Sequence, residues 1–196
     1  MKQTFIDSIN KWMNRKYDNT QISQWIKFAE ERISEELRIA DMMDIDVGIL
    51  TNRRVLLPSD WKELDFVHYE NGRSLEFKSR TEFYNLGEAN AKNFYTITGN
   101  YIVVGGPIDS VNGLPIEISY YASVPPFVEE DTWLYTKYER LYMAATLVSA
   151  SAFGVEDQRA VLWETEATNR INALNVEHLR ARNSGSRLAT KRTGFG

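Results

Sequence analysis

Apolar side chains near the start of the chain recur at every third and fourth position, which is the spacing of an amphipathic helix. The first such stripe consists of Phe5, Ile9, Trp12 and Met13. The same spacing predicts a longer second helix over residues 21–40. Asp18 and Gln21 form the pattern of a capping box, which marks where this second helix begins.

After residue 41 the apolar period changes to two, which predicts β-strands. The apolar positions of the first strand are Met43, Ile45, Val47 and Ile49. Asp44, Asp46 and Gly48 stand between them, so we expect this strand to bury its apolar side. Further strands are predicted at residues 53–57, 66–70, 74–78, 94–98, 101–104 and 115–122. The pairs Asn71-Gly72 and Gly99-Asn100 predict hairpin turns.

Two prolines, Pro125 and Pro126, end this β region, and helical spacing returns over residues 132–152 and 156–182. Because predicted helices lie on both sides of the strands, the simplest packing places the four helices together. The sequence therefore predicts an α+β fold: a four-helix bundle-like core with an inserted antiparallel β module and an extended C-terminal tail. The bundle takes residues 1–40 and 127–182, the β module 41–126 and the tail 183–196.

The composition excludes several classes of protein. With 196 residues, 43% of them hydrophobic, the chain is long enough for one core or for a small domain with an inserted one. It has no cysteine, which excludes disulfides, thiolate metal sites and cysteine nucleophiles. Polar residues interrupt the apolar N-terminus, and no apolar run approaches the roughly 18 residues of a membrane helix. We expect a soluble protein, intracellular or borne by a particle.

The net charge of −4 is distributed unevenly along the chain. From Leu179 onward there are five basic residues and no acid. The rest of the chain therefore has 18 basic and 27 acidic side chains, a net of −9. An acidic body thus ends in a short basic tail, and such charge asymmetry is typical of a segment that contacts a partner.

No group of residues has the pattern of a catalytic, cofactor or metal site. His68 and His178 are far apart in the sequence, and neither has a recognisable catalytic partner. Asp41, Asp44 and Asp46 lack the central glycine and distal glutamate of a calcium loop, so we interpret them as the solvent face of a strand. We therefore expect no enzyme activity, no cofactor and no metal.

Aromatic residues are prominent in the predicted β module, and most of them have the spacing of core positions. Tyr120 and Tyr121 are neighbours in one predicted strand and must point to opposite faces of the sheet. Rings on both faces make the β module a candidate contact surface.

The C-terminal tail supplies the candidate partner-binding residues. They are Arg180, Arg182, Arg187, Leu188, Lys191, Arg192 and Phe195. Residues 183–196 have only Leu188 and Phe195 as large apolar groups, too few for independent folding. Fully extended, this segment reaches about 45–50 Å. Three interpretations stay open: a nonspecific nucleic-acid arm, a docking peptide anchored by the two apolar residues, or a terminus without a role.

The order of several motifs resembles the head-to-tail adaptor proteins, also called head-completion or connector proteins, of tailed bacteriophages. WIKFAEERISEELR at residues 25–38 and IEISYYASVP at residues 116–125 carry most of the resemblance. It extends over about residues 9–164 through INKWMNR, LLPSDWKELDFV, FYTITGNYIVVGGP and WLYTKYERLYMAATLVSASAFGVEDQRAVLWE.

This resemblance implies a structural virion protein at the head–tail junction, made in the host cytoplasm, and not an enzyme. It implies a homo-oligomeric ring, usually a dodecamer, that binds beneath the portal protein, extends the DNA channel and carries tail or nozzle proteins. Residues 180–196 are then expected to grip the portal, while genomic DNA passes without sequence-specific binding and no membrane is involved. The alternative hypothesis is a DNA-binding protein that uses a basic C-terminal arm.

Overall fold

A computed structural model describes residues 2–127, 132–154 and 157–184 of the chain. Its helices are α1 (Lys2–Met13), α2 (Asn19–Glu36), α3 (Arg80–Asn85), α4 (Gly87–Asn90), α5 (Ile108–Val111), α6 (Trp133–Phe153) and α7 (Asp157–Ser184). Its strands are β1 (Met43–Ile49), β2 (Arg54–Leu56), β3 (Trp61–Tyr69), β4 (Ser74–Phe77), β5 (Phe94–Thr98), β6 (Tyr101–Val104) and β7 (Pro115–Ala122). The mixed α+β class predicted from the sequence is confirmed.

The chain divides into two compact units. The helical unit takes in the residues up to Asp41 and those from Val124 on, and the β unit is Met42–Ser123. Within the helical unit, α6 packs against α1, α2 and α7. Aromatic rings with centroids 5.1–5.6 Å apart fill part of its core and belong to Phe5, Phe127, Tyr135 and Tyr142. The four long helices thus lie in one unit, and their arrangement as a regular bundle stays a prediction.

Local sequence signals account for the start of α2 better than for its end. Asp18 and Gln21 form the predicted capping box, in which the side chain of each residue accepts a hydrogen bond from the backbone amide of the other. The helix ends at Glu36, earlier than predicted, because Leu37 adopts an extended conformation. A short 3-10 turn, Ala40–Met42, then leads into β1.

The strands form a seven-stranded sheet in the order β1-β7-β3-β4-β5-β6-β2. The two predicted hairpins are present as the pairs β3–β4 and β5–β6. The prediction of a purely antiparallel module is wrong at one place, where β4 and β5 run parallel. Parallel neighbours need a long connection to bring the chain back to the same end of the sheet, and here α3 and α4 supply it.

The first strand does not bury the apolar side that was predicted to be covered. Three apolar side chains of β1 are mainly exposed: Ile45 (57%), Val47 (62%) and Ile49 (65%). On the other side of the strand, Asp44 and Asp46 are exposed as predicted, and only Gly48 is half-buried, where β2 approaches it. A Cβ on Gly48 would lie 2.1 Å from Cγ2 of Val55, so the close approach of β2 requires glycine at this position. The strand was predicted correctly and its buried face wrongly.

Tyr120 and Tyr121 are both buried, which corrects the expectation that one ring of this pair offers a contact surface. Tyr120 belongs to the apolar core of the β unit, and its hydroxyl donates a hydrogen bond to Asp60 at 3.3 Å. Tyr121 lies on the other face of β7, in register with Met43 and Glu63, and is covered there. The two rings point to opposite faces of the sheet, as predicted, but the burial of both faces of β7 was not predicted.

Candidate interaction surfaces

The structure places two of the seven predicted partner-binding residues. Arg180 and Arg182 are exposed side chains near the end of α7, which continues to Ser184. The prediction of extended chain from residue 183 is therefore wrong for Asn183 and Ser184, which extend the helix. The other five predicted residues lie outside the described part of the chain and are Arg187, Leu188, Lys191, Arg192 and Phe195.

An uncharged stripe runs along the exposed side of α7. This α7 stripe has alternating spacings of three and four and consists of Leu162, Thr165, Asn169, Asn172, Val176, Leu179 and Asn183, all exposed. The opposite side of the helix is held within its own unit: Ala167 and Ile171 are buried, and Asn175 accepts a hydrogen bond from the Arg38 amide at 2.7 Å. An exposed helix side normally carries charged residues, so a long uncharged stripe indicates a packing surface.

The α7 stripe was not predicted from the sequence, because the spacing of apolar residues alone marks only the side that buries the helix. The available signal was the absence of charge at seven positions in regular succession, within a helix that carries many charged residues elsewhere. Two apolar stripes on one helix predict two packing partners. α6 supplies one of these partners, and the α7 stripe is left for another.

A second exposed apolar surface is the outward side of β1, formed by Ile45, Val47 and Ile49 and called here the β1 face. Its neighbours in register on β7 are Ser119, opposite Ile45, and Glu117, opposite Val47. β1 stands at one end of the strand order, so this face belongs to an edge of the sheet. Large apolar side chains grouped in this way mark a site of protein contact.

Hydrogen bonds within β1 occupy the free edge of this strand. The Leu50 amide donates to the carbonyl of Leu114 at 3.0 Å, on the β7 side, so amides at odd-numbered positions of β1 point away from β7. The amides of Ile45 and Val47 are two of these, and each donates to the carboxylate of the preceding aspartate at 2.8 Å. An added strand would find these donors taken, so a partner fits the β1 face better than the edge.

A groove with two tryptophans lies beside α1, α6 and α7. Trp12 is exposed, although the sequence pattern placed it on a buried stripe, and its ring meets Trp163 edge-on at a centroid distance of 5.2 Å. The groove has a volume of about 420 Å³ and is bordered by Arg140 and by the ion pair of Glu166 with Arg170. Its rim is of mixed charge, which is typical of a solvated surface between helices.

A buried acid anchors the segment that leads from the β strands back to the helices. The Glu30 carboxylate accepts hydrogen bonds from the Phe127 amide at 2.6 Å and from the Tyr142 hydroxyl at 2.5 Å. Burial and this neighbouring carboxylate raise the pKa of Tyr142 far above its usual range. On the next turn of α2, Ser34 accepts from the amide of Val124 at 2.9 Å. Glu30 is thus engaged in holding the fold together.

The three aspartates considered as metal ligands have structural roles instead. Asp41 accepts hydrogen bonds from Lys137 and from the Tyr138 hydroxyl, and the Lys137 contact lowers the pKa of Asp41. Burial and Asp41 together raise the pKa of Tyr138 to about 12. Asp44 and Asp46 bind the amides of β1. Within the described ranges, no group of three His, Asp or Glu side chains is arranged to hold a metal ion.

The two histidines lie in different units of the chain. His68 stacks on Phe66 with 4.3 Å between ring centroids, and His178 is half-buried on α7.

Among the helices that the structure describes, none combines the length and the hydropathy of a membrane-spanning segment.

These observations define the chain as an α+β protein with exposed packing surfaces on a helix and on a sheet edge. The family model of the SU10 adaptor protein matches residues 3–191, nearly the whole chain. The chain therefore belongs to the SU10 adaptor protein family, a family of phage head-to-tail adaptors, which confirms the resemblance seen in the sequence. No curated protein matches the chain significantly. The protein is thus a structural adaptor and a component of a phage virion.

Proposed function

We propose that this protein forms a ring between the portal protein and the tail of the phage particle, where it extends the DNA channel. The match to the adaptor family over residues 3–191 carries this proposal. The proposed ring has twelve subunits, each with its four long helices arranged as a bundle. Residues 185–196 grip the portal, and the opposite side of the ring binds tail or nozzle proteins.

The distribution of charge supports a role as a conduit for DNA. Without the five basic residues at its C-terminus, the chain has a net charge of −9. Acidic walls repel the phosphates of DNA, so the genome passes without sticking. The three basic residues of segment 185–196, in twelve copies, would together place roughly +36 at the end that docks, enough to govern the electrostatics of docking.

Removing residues 185–196 tests the grip on the portal. α7 stays complete in this truncated protein, since the helix ends at Ser184. We expect an unchanged unfolding midpoint and a loss of affinity for purified portal protein of at least about tenfold. Two further variants separate the contributions: Arg187, Lys191 and Arg192 changed to Gln remove charge, and Leu188 and Phe195 changed to Ala remove the apolar anchors. Unchanged portal affinity of the truncated protein would rule out the grip.

The basic C-terminus also supports a second candidate function, that of a DNA-binding arm. This function predicts that the full chain shifts duplex DNA in a gel, with an affinity that falls steeply as salt rises and disappears when the five basic residues are neutralised. The adaptor function predicts portal binding through the same segment and only weak, nonspecific DNA binding. Electron microscopy of the particle, with a ring seen between portal and tail, tests the proposed position directly.

A further inference from the structure

We propose that the α7 stripe of one subunit packs on the β1 face of the neighbouring subunit, and that this contact closes the ring. The inference rests on the proposed function and names the two surfaces that a ring of identical chains would use. A closed ring needs a heterologous contact, in which two different patches of the same chain meet. This chain exposes two such patches, one on a helix and one on a sheet.

The dimensions of the two patches agree. Leu162 and Leu179 are 17 positions apart on α7, which corresponds to about 26 Å along a helix at 1.5 Å per residue. The seven residues of β1 span about 20 Å at 3.4 Å per residue. A helix that lies along a sheet face is a common way for both elements to bury apolar surface. The α7 stripe is therefore long enough to cover Ile45, Val47 and Ile49 together.

The charges around the two patches are complementary. On the face that contains Val47, the residues in register on β7 and β3 are Glu117 and His68, and Asp46 stands beside Val47 in β1. Acids thus border the β1 face. On α7, Arg180 follows Val176 by four positions and therefore lies beside it on the helix surface. Packing of the two patches brings Arg180 to the acidic border.

The structure also favours a side-chain contact with a second copy over the addition of a strand. The outward amides of Ile45 and Val47 already have carboxylate acceptors, so the edge of β1 offers fewer donors to an incoming strand. In a ring, each subunit would cover the α7 stripe of one neighbour and present its own stripe to the other. The α7 stripe and the β1 face of every chain are then both buried by a single kind of contact.

Cysteine cross-linking tests this contact cleanly, because the natural chain has no cysteine. We expect the double variant Val47→Cys with Leu179→Cys, oxidised while bound to purified portal, to give a ladder of covalent oligomers. Each single variant alone is expected to stay monomeric, and a mixture of the two single variants to stop at dimers. Val47→Cys combined with Glu31→Cys, which is exposed on α2, serves as the control pair and is expected to give no ladder.

A charge exchange provides a second measurement. Arg180→Glu is expected to weaken assembly about tenfold, and Glu117→Arg in the same chain to restore it. Self-cross-linking of either single variant would overturn the inference in favour of a symmetric contact. Rings visible by electron microscopy without cross-links or charge rescue would overturn the inference and leave the proposed function standing. The absence of any ring on the portal would contradict the proposed function itself.

Discussion

Glu30 is a carboxylate inside an apolar core, and its partners determine what its removal would do. Both the Phe127 amide and the Tyr142 hydroxyl use it as acceptor, and both are buried. A buried donor that loses its acceptor costs about 1–3 kcal/mol, which is more than the hydrogen bond contributes when both partners are present. No local signal in the sequence of α2 predicts this burial, because the tyrosine and the backbone amide that converge on Glu30 are distant in the chain.

Replacing Glu30 by alanine is therefore expected to lower the free energy of unfolding by about 2–4 kcal/mol in urea titrations. Glu30→Gln keeps an acceptor oxygen and is expected to cost less. Glu31→Ala is the matched control, because Glu31 is exposed and its ion pair with Lys27 is long, at 3.8 Å. This control is expected to change stability by less than about 0.5 kcal/mol. Equal effects of the two alanine variants would show that the buried hydrogen bonds of Glu30 do not contribute.

Ionisation of the Tyr120 hydroxyl makes the stability of the β unit depend on pH in the alkaline range. Burial, followed by the nearby carboxylates of Asp60 and Asp44, raises the pKa of Tyr120 from 10 to about 12. Below pH 10 the hydroxyl is protonated in both the folded and the unfolded chain. Between pH 10 and 12 only the unfolded chain loses the proton, so stability falls as pH rises through this window.

The Tyr120→Phe variant is expected to lose stability less steeply than the natural chain between pH 10 and 12, as followed by unfolding midpoints at several pH values. Below pH 10 this variant is expected to be slightly less stable, by about 1 kcal/mol, because it lacks the hydrogen bond to Asp60. Tyr101→Phe removes an exposed hydroxyl and is the control, with the slope of the natural chain. Parallel slopes for the natural chain and Tyr120→Phe would contradict the assignment.

Among the elements, β1 shows how one close contact selects the exposed side of a strand. An alanine at position 48 would place its Cβ 2.1 Å from Cγ2 of Val55. We expect Gly48→Ala to destabilise the protein by about 1–3 kcal/mol through overpacking. In a Val55→Ala background the same substitution has room, so a double-mutant cycle measured by urea unfolding is expected to give a coupling energy of at least about 1 kcal/mol. Additive effects of the two substitutions would show that the contact between positions 48 and 55 does not cause the destabilisation.

Elements with strong local signals were predictable from the sequence, and relations between elements were not. β5, β6 and β7 were predicted to the residue, since alternating apolar positions and Gly-Asn turns define them locally. The parallel pairing of β4 with β5 depends on where a helical connection returns the chain. The side of β1 that β2 approaches is determined by the close contact of Gly48 with Val55. The spacing of apolar residues along the sequence therefore predicted which segments are strands. It did not predict which side of each strand is covered.

The candidate interaction surfaces show the same difference between local signals, which the sequence reveals, and relations between elements, which it does not. The basic character of the C-terminus was evident from composition, but the helical state of Asn183 and Ser184 depends on continuation of α7. The β1 face was recognised as apolar and assigned to the core, because a strand at the end of a sheet has the same pattern as one with its face covered. The α7 stripe required the identification of charge-free positions as well as apolar ones.

For the whole molecule, the pairing of β1 with β7 explains how a β unit is accommodated within a helical chain. Met43 near the start of the unit and Tyr121 near its end are partners in register, so the chain enters and leaves the unit through adjacent strands. The buried cluster around Val67, Ile102 and Ile118 is formed entirely by residues of the β unit. A unit with its own core and adjacent ends meets the physical requirements of an insertion that folds by itself.

Excision of the β unit tests this property. Residues 42–123 produced alone are expected to unfold cooperatively with a strand-type circular dichroism spectrum, because the core and all strand pairings are retained. Residues 1–41 joined to 124–196 by a short Gly-Ser linker are expected to keep a helical spectrum, since Met43 and Tyr121, close to the two junctions, are opposite each other in adjacent strands, about 5 Å apart. A fragment of residues 42–114 is the control and is expected not to fold, because it lacks β7, which pairs with both β1 and β3. If residues 42–123 gave no cooperative transition while the full chain did, the β unit would depend on the helices for its stability.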